Sequence, residues 1–248
     1  MGALMDLLGA GRARRRWRAA VAGDGAEARA LGADARRVRG EAAALAAALE
    51  RQEAERAAPV AMPPGADWAW RPDPWAVAMR PAGRAGIAGG TALLPGVTLF
   101  HDCPLAEIAL RQERAAGARP GAPFQLTMDV LDFQGSFLSL ALDLPAEGVA
   151  GLGPANVVQL AVDLRQERRA AVFARINVRH GPNTETLVRE LDLDSGPGPA
   201  EAAFDLGLQE INPRRVDHAW LDLIFEDPAM SAVTLRDVTL ARRFRADL

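Results

Sequence analysis

Ten short segments between residues 97 and 248 alternate apolar and polar residues with a period of two. Such alternation is typical of β-strands that bury one face. Turn residues separate the segments, and no amphipathic helix lies between most of them. The segments are 97–101, 107–112, 124–133, 136–144, 157–164, 171–179, 186–193, 202–206, 219–226 and 232–244. The predicted fold class is mostly β, an antiparallel two-sheet β-sandwich of jelly-roll type with an N-terminal α-helical extension.

The last of these segments changes its apolar face partway along. Val233 and Leu235 give way to Val238 and Leu240, so the apolar set moves by one position. A β-bulge inserts one extra residue and would turn the later side chains inward again. We therefore predict a bulge near Arg236–Asp237.

Residues 1–57 form the predicted helical extension. Six positions are spaced 4-3-4-3-4, as in a short heptad seam: Leu31, Ala35, Val38, Ala42, Leu45 and Leu49. A helix that lies on its own domain or frays in solution accounts for this short seam, and a coiled coil that forms a homo-oligomer is the alternative. The basic run Arg12–Arg18 precedes it and allows peripheral contact with anionic lipid, with a solvated helix end as the alternative.

Residues 58–96 are rich in proline and carry three of the five tryptophans, Trp68, Trp70 and Trp75. Proline prevents a continuous helix here. A merely flexible linker does not need three indoles, so we predict a linker that wraps the domain 97–248 and buries its rings. Exposed stacking platforms for a sugar or a partner are the alternative.

The bulk composition narrows the function classes. The net charge is −3, which argues against nucleic-acid binding, and all 29 basic residues are arginine. The single cysteine, Cys103, excludes an internal disulfide framework. The sequence contains neither a secretory signal nor a long apolar run, so we predict a cytoplasmic protein, with a peripheral membrane location as the alternative. No cofactor is expected.

The three histidines are predicted at strand ends, where they would stand on a rim of the sandwich. His101 precedes Asp102 and Cys103, His180 begins a turn, and His218 begins another strand. Two readings remain: strand-end residues that hydrogen-bond the backbone, or residues that converge into a site. A metal would need His101, Asp102, His180 and Glu185 together, and we predict neither a metal nor catalytic residues.

The segment "RINVRHGPNTE" supplies the candidate ligand-binding residues. Val172, Ala174, Ile176 and Val178 would face the core. Arg175, Asn177 and Arg179 would form a polar ladder on the other face, because planar donors suit hydroxyls and carboxylates. His180, Asn183 and Glu185 would stand at its rim, and Gly181–Pro182–Asn183 would form a tight turn.

Four aspartates also lie opposite the apolar face of their strands: Asp129, Asp143, Asp163 and Asp222. They could share one sheet surface with Arg165, Arg175 and Arg179. Such a surface is either a solvated face with cross-strand charge pairs or the carboxylate set of a glycosidase.

Two resemblances follow from longer stretches. The stretch "WLDLIFEDPAMSAVTLRDVTLARR" resembles the end of jelly-roll carbohydrate-binding domains. The chain also resembles a family of unknown function from Rhodobacter-like alphaproteobacteria, through "DWAWRP", "TLFHDCPL", "GSFLSL", "NVRHGPNTE" and "LIFEDPAMSAVTLRD". That resemblance implies an alphaproteobacterial origin and no particular mechanism.

Together these patterns predict a non-catalytic β-sandwich module that binds a carbohydrate, another polar ligand or a protein partner on one sheet face. Its N-terminal helix would tether or oligomerise it. One alternative is a structural or assembly protein that acts through that helix and the basic run. A second is a hydrolase that uses His and Asp residues of the rim.

Overall fold

A computed structural model of the chain describes residues 60–115, 121–194 and 198–245, and residues 15–20, 22, 31–32, 35–42, 44 and 45. The chain divides into two compact units, Met1–Glu53 and Ala54–Leu248. The described residues of the first unit are helical. The seam positions Val38 and Leu45 are exposed there. Leu49, Arg12 and Arg14 lie outside the described residues, and self-association stays a prediction.

The second unit contains the strands of the protein. In its described part they are β1 (Ala66–Trp70), β2 (Gly83–Ala85), β3 (Thr91–Leu94), β4 (Val97–His101), β5 (Ile108–Arg114), β6 (Phe124–Val130), β7 (Leu138–Asp143), β8 (Asn156–Gln166), β9 (Val172–His180), β10 (Asn183–Glu190), β11 (Ala200–Asp205), β12 (Val216–Phe225) and β13 (Ser231–Phe244). Short helices span Asp73–Ala76 and Ala146–Val149, and 3-10 turns span Leu206–Leu208 and Pro213–Arg215. Within the described residues, no helix is both long and apolar enough to cross a bilayer.

The strands form two antiparallel sheets. The seven-stranded sheet has the order β11-β8-β13-β6-β5-β2, and β1 pairs with β13. The six-stranded sheet has the order β10-β9-β12-β7-β4-β3. Their apolar faces meet in one core, which contains Leu126 and Leu160 of the larger sheet and Leu140 and Ile176 of the smaller. The predicted fold class, a mostly β two-sheet sandwich with an N-terminal helix, is confirmed.

Each of the ten alternating segments contains a strand, with ends that differ from the prediction by a few residues. The predicted bulge is also confirmed. The pairing of β13 with β8 shifts between Leu235 and Asp237, and Val238 and Leu240 are buried beyond it. The hairpin between β9 and β10 is a two-residue turn, since His180 pairs with Asn183. Gly181 has φ +66° at its first position, where a type II′ turn favours glycine.

The segment 58–96 contributes β1, β2 and β3 and therefore extends both sheets. Trp75 is completely buried, and Trp68 and Trp70 pack partly buried against the core. Arg71 makes a two-pronged ion pair with Asp237, with Nε and Nη2 at 2.8 and 2.9 Å from the carboxylate. This contact fixes the segment to the bulged part of β13.

Candidate functional site

The outer face of the six-stranded sheet carries rows of side chains set by strand register. Trp220 of β12 pairs with Asn177 of β9 and with Asp143 of β7. One row further along, Asp222 pairs with Arg175. Polar and aromatic residues therefore meet on one surface, although they come from distant parts of the chain.

A cleft of about 360 Å³ lies on this face, and we refer to it as the sheet cleft. Three aromatic side chains, two charged ones, a serine and an isoleucine line it: Phe100, Phe137, Ser139, Arg175, Trp220, Asp222 and Ile224. Phe100 and Phe137 are 42% and 43% exposed. Concave sites with an apolar lining and a few directed polar groups are typical of ligand pockets. The tryptophans of segment 58–96 do not line this cleft.

Asp222 forms the polar centre of the sheet cleft. The residue is only 3% exposed. Arg175 contacts its Oδ2 through Nε at 2.9 Å and through Nη2 at 2.8 Å. The amide of Asn177 donates to the same oxygen at 2.9 Å. Because a buried carboxylate is costly without partners, these donors hold it in one position and compensate its charge.

Trp220 forms one end of the sheet cleft. The His218 ring stacks on it, with ring centroids 5.1 Å apart and the planes 29° apart. His218 Nε2 lies 3.4 Å from Asp143 Oδ1. These contacts restrict the indole from the side of His218, so its ring is held in place at the cleft rather than freely rotating.

The predicted ligand residues fall into two groups. Arg175 lines the sheet cleft, and Asn177 lies buried beneath it as a partner of Asp222. Arg179 is on the same face but pairs with Asp217 at 2.8 Å, and both side chains are about half exposed. His218 stands behind Trp220. Arg175, Asn177, Arg179 and His218 therefore share one surface.

His180 and Glu185 lie on the inner face of the sheet. They are close to the turn of the β9–β10 hairpin, where His180 is the last residue of β9 and Asn183 the first of β10. The backbone N–H of Asn212 donates to His180 Nδ1 at 3.4 Å, so the proton of the neutral ring is on Nε2. That nitrogen is buried, lies 3.5 Å from Glu185 Oε1, and has no hydrogen bond within the described part of the chain. These residues do not contact the ladder of Arg175 and Asn177.

His101 and Asp102 lie at the opposite end of the six-stranded sheet. Following the strand pairings from β4 through β7 and β12 to β9, His101 lies in the same row as Val172, the first residue of β9. His180 is the last residue of β9, eight residues after Val172. The two histidines are also three strands apart, so at about 3.3 Å per residue and about 4.8 Å per strand they are about 30 Å apart. The four-residue metal set is therefore not brought together. Among the described residues, no group of three or more histidine, cysteine or acidic side chains could hold a metal ion.

The hydrogen bonds of His101 and Asp102 are structural. The Cys103 N–H donates to His101 Nδ1 at 3.2 Å, so His101 Nε2–H donates to the Ile87 carbonyl at 2.8 Å. Asp102 accepts hydrogen bonds from the hydroxyl and the N–H of Ser136 at 2.6 and 2.7 Å. Cys103 is buried, and a hydrogen bond from the Gln134 N–H lowers the pKa of its thiol. These bonds tie the loop after β4 to the loop before β7.

Acid is expected to weaken this loop contact. The Ser136 hydroxyl, with the N–H groups of Ser136 and Phe137, holds the pKa of Asp102 below its ordinary value of 3.8. A carboxylate whose pKa is lower in the folded state stabilises the fold above its unfolded pKa, and this stabilisation is lost as the pH falls through the folded pKa. We expect the difference in unfolding free energy between wild type and Asp102→Ala to be constant near neutral pH and to shrink below about pH 3.8. Urea unfolding at a series of pH values measures it, and a difference that grows in acid would contradict the assignment.

The four outward aspartates do not share one surface, so that prediction is wrong. Asp129 and Asp163 belong to the seven-stranded sheet, where they pair with Arg111 and Arg236. Asp143 and Asp222 belong to the six-stranded sheet. The alternation of each strand predicts which side chains share a face of that strand, but it does not predict which strands are neighbours.

A larger cleft of about 570 Å³ lies between the residues around 169–171 and those around 190–194. None of its described lining residues is aromatic. Its charged residues include Arg169 and Asp194, which pair with each other. The exposed rings and the buried carboxylate occur in the sheet cleft, and we place the candidate site there.

Sequence reasoning missed all three aromatic residues of the sheet cleft. Trp220 and Ile224 alternate with the core residues Leu221 and Leu223, so a bulky apolar residue on the outward side of 219–226 was an available signal. Phe100 follows the same pattern in 97–101. Phe137 precedes β7, and no periodic pattern includes it.

The fold and the cleft define a β-sandwich domain with a ligand-sized depression on one sheet face. The chain belongs to the family of unknown function DUF6478, which matches it over residues 1–248. The resemblance to a family of unknown function is thereby confirmed, and the alphaproteobacterial origin stays a prediction. No curated protein matches the chain.

The chain is similar to several solved structures at low identity. The enzymatically active domain of tailspike protein 4 of bacteriophage CBA120 is 7% identical, with a TM-score of 0.43, over 65% of this chain and 21% of that chain. The family 11 carbohydrate-binding module of Clostridium thermocellum is 7% identical, with a TM-score of 0.38, over 64% and 96%. A carbohydrate-binding module of the β-sandwich superfamily, described for promiscuous specificity, is 12% identical, with a TM-score of 0.40, over 60% and 57%. The likeness is one of fold alone, and the chain spans about a fifth of the tailspike chain.

Proposed function

We propose that the second unit is a non-catalytic module that binds a carbohydrate in the sheet cleft. The observation that carries the proposal is the presence of exposed aromatic rings beside a buried carboxylate that a half-exposed guanidinium holds in one orientation. Sugars present C–H groups on their ring faces and hydroxyls around their edges. Phe100, Phe137 and Trp220 can pack against the ring faces, while Asp222 and Arg175 accept from and donate to hydroxyls.

The other sheet offers a useful contrast. Its outer face carries ion pairs between exposed or half-exposed side chains, such as Arg111–Asp129 and Arg236–Asp163. Exposed pairs of this kind contribute little and are typical of a solvated surface. On the six-stranded sheet, by contrast, aromatic rings stand beside a carboxylate that is itself buried, which is why we assign binding to that face.

Retention on polysaccharides tests the proposal. The full chain and Trp220→Ala are compared by affinity electrophoresis in gels that contain neutral plant and bacterial polysaccharides. Loss of an aromatic anchor in a binding site costs about 2 kcal/mol, so we expect Trp220→Ala to weaken binding roughly thirtyfold. Phe244→Ala is the matched control, because Phe244 is an exposed ring at the end of β13 in the other sheet. Equal retention of wild type and Trp220→Ala would contradict the proposal.

A further inference from the structure

We infer that the ligand of the sheet cleft is an uncharged polyhydroxylated chain longer than one sugar unit, and that Asp222 and Arg175 select against acidic sugars. This inference rests on the proposed function, which leaves the class of carbohydrate open. Three properties of the cleft carry it: its charge balance, the commitment of its guanidinium, and the separation of its aromatic rings.

The charges that line the sheet cleft cancel. Among the described residues, Arg175 is the one cation that lines it and Asp222 the one anion, and the two are in direct contact. The neighbouring charge on the same row as Trp220 is Asp143, which is again negative. An acidic ligand would therefore meet a neutral or slightly negative surface, and it would lose hydration without gaining an ion pair.

Two nitrogens of the Arg175 guanidinium already contact Asp222 and are not available to a ligand carboxylate. Recognition of a carboxylate by arginine typically uses two parallel N–H groups. Arg175 directs Nε and Nη2 to Asp222 Oδ2, so that pair of donors is already occupied. A hydroxyl group suits the remaining chemistry better, because it donates to a carboxylate oxygen and accepts from an N–H at the same time.

The aromatic residues mark the length of the ligand. Phe100 of β4 pairs with Ser139 of β7, which pairs with Ile224 of β12, so the three residues lie in one row across the sheet. The strand that carries Phe100 is two strands from β12. Trp220 is four residues before Ile224 on that strand. With strands about 4.8 Å apart and about 3.3 Å per residue, the backbone positions of Phe100 and Trp220 are about 16 Å apart. A chain of several linked units is long enough to follow the sheet from one position to the other, so the cleft suits an oligosaccharide.

The test compares neutral and acidic oligosaccharides by isothermal titration calorimetry with the full chain. The neutral set contains hexasaccharides of glucan, xylan, mannan and galactan, and the acidic set contains hexauronates of galacturonan and mannuronan. We expect the best neutral hexasaccharide to bind at least about tenfold tighter than either hexauronate and than its own monosaccharide. Asp222→Asn keeps the size of the side chain but leaves Arg175 unneutralised, and it should move the preference about tenfold toward the hexauronates.

Asp163→Asn is the matched control, since it releases Arg236 on the other sheet, away from the sheet cleft. It should leave the preference unchanged. If the wild type binds a hexauronate more tightly than every neutral hexasaccharide, the inference of an uncharged ligand is wrong, while the proposed function still holds. If a monosaccharide binds as tightly as its hexasaccharide, the inference of a ligand longer than one sugar unit is wrong. Binding of neither set would instead contradict the proposed function. The comparison on the wild type decides the inference even where Asp222→Asn fails to fold.

Discussion

Replacement of Trp75 by alanine is expected to lower the free energy of unfolding by about 3–5 kcal/mol, the usual cost of removing a large buried aromatic side chain. Trp75 has no exposed surface. Its Nε1–H donates to the Leu235 carbonyl at 2.9 Å, next to the bulge of β13. The variant therefore loses core packing and the hydrogen bond to that carbonyl. Since domains of this size are stable by about 5–15 kcal/mol, the loss is a large share of the total.

Urea unfolding of the full chain measures this effect. Trp75→Phe separates its two parts, because phenylalanine keeps an aromatic ring but cannot donate to Leu235. It should lie between wild type and Trp75→Ala. Val77→Ala is the control, since Val77 is an exposed residue two positions away. A loss below about 1 kcal/mol for Trp75→Ala would show that the segment 58–96 is not anchored in the core.

Replacement of Arg175 by alanine is expected to lower the free energy of unfolding by about 3 kcal/mol, because it leaves the buried Asp222 carboxylate without its cation. The hydrogen bond from Asn177 remains and compensates only part of that charge. Arg179→Ala is a matched control on the same strand and the same face. Its partner Asp217 is 56% exposed, so that change should cost less than about 1 kcal/mol.

A double-mutant cycle isolates the interaction from the packing of the arginine side chain. In the Arg175→Ala/Asp222→Ala variant no buried charge is left unpaired. The double variant should therefore lose clearly less stability than the sum of the two single variants. Additive losses would mean that Arg175 and Asp222 do not depend on each other, and the charge balance of the sheet cleft would then be wrong.

The sequence was sufficient to predict strands β4 to β13 and their buried faces. Each alternating segment contains a strand, because period-two patterning depends only on neighbouring residues. The same local logic located the bulge at Arg236–Asp237 and the turn at Gly181. The contribution of 58–96 to both sheets was less accessible, since β1 to β3 are short and lie among prolines and glycines.

The site was only partly predictable, because it depends on which strands become neighbours. Arg175 and Asn177 were recognisable as outward polar residues of their strand. Their partner Asp222 is 47 positions from Arg175, and local patterns contain no information about that pairing. The same limit explains why four aspartates were predicted on one surface and lie on two. Phe100 and Phe137 complete the cleft from two further parts of the chain.

One measurement tests the central claim, that the outer face of the six-stranded sheet binds an oligosaccharide. The five tryptophans give five indole N–H signals in a proton–nitrogen correlation spectrum of the full chain, and single tryptophan-to-phenylalanine variants assign them. On titration with the neutral hexasaccharides, we expect the Trp220 signal to shift and saturate while that of buried Trp75 stays in place. A saturating shift at Trp68 or Trp70 with no change at Trp220 would contradict the claim.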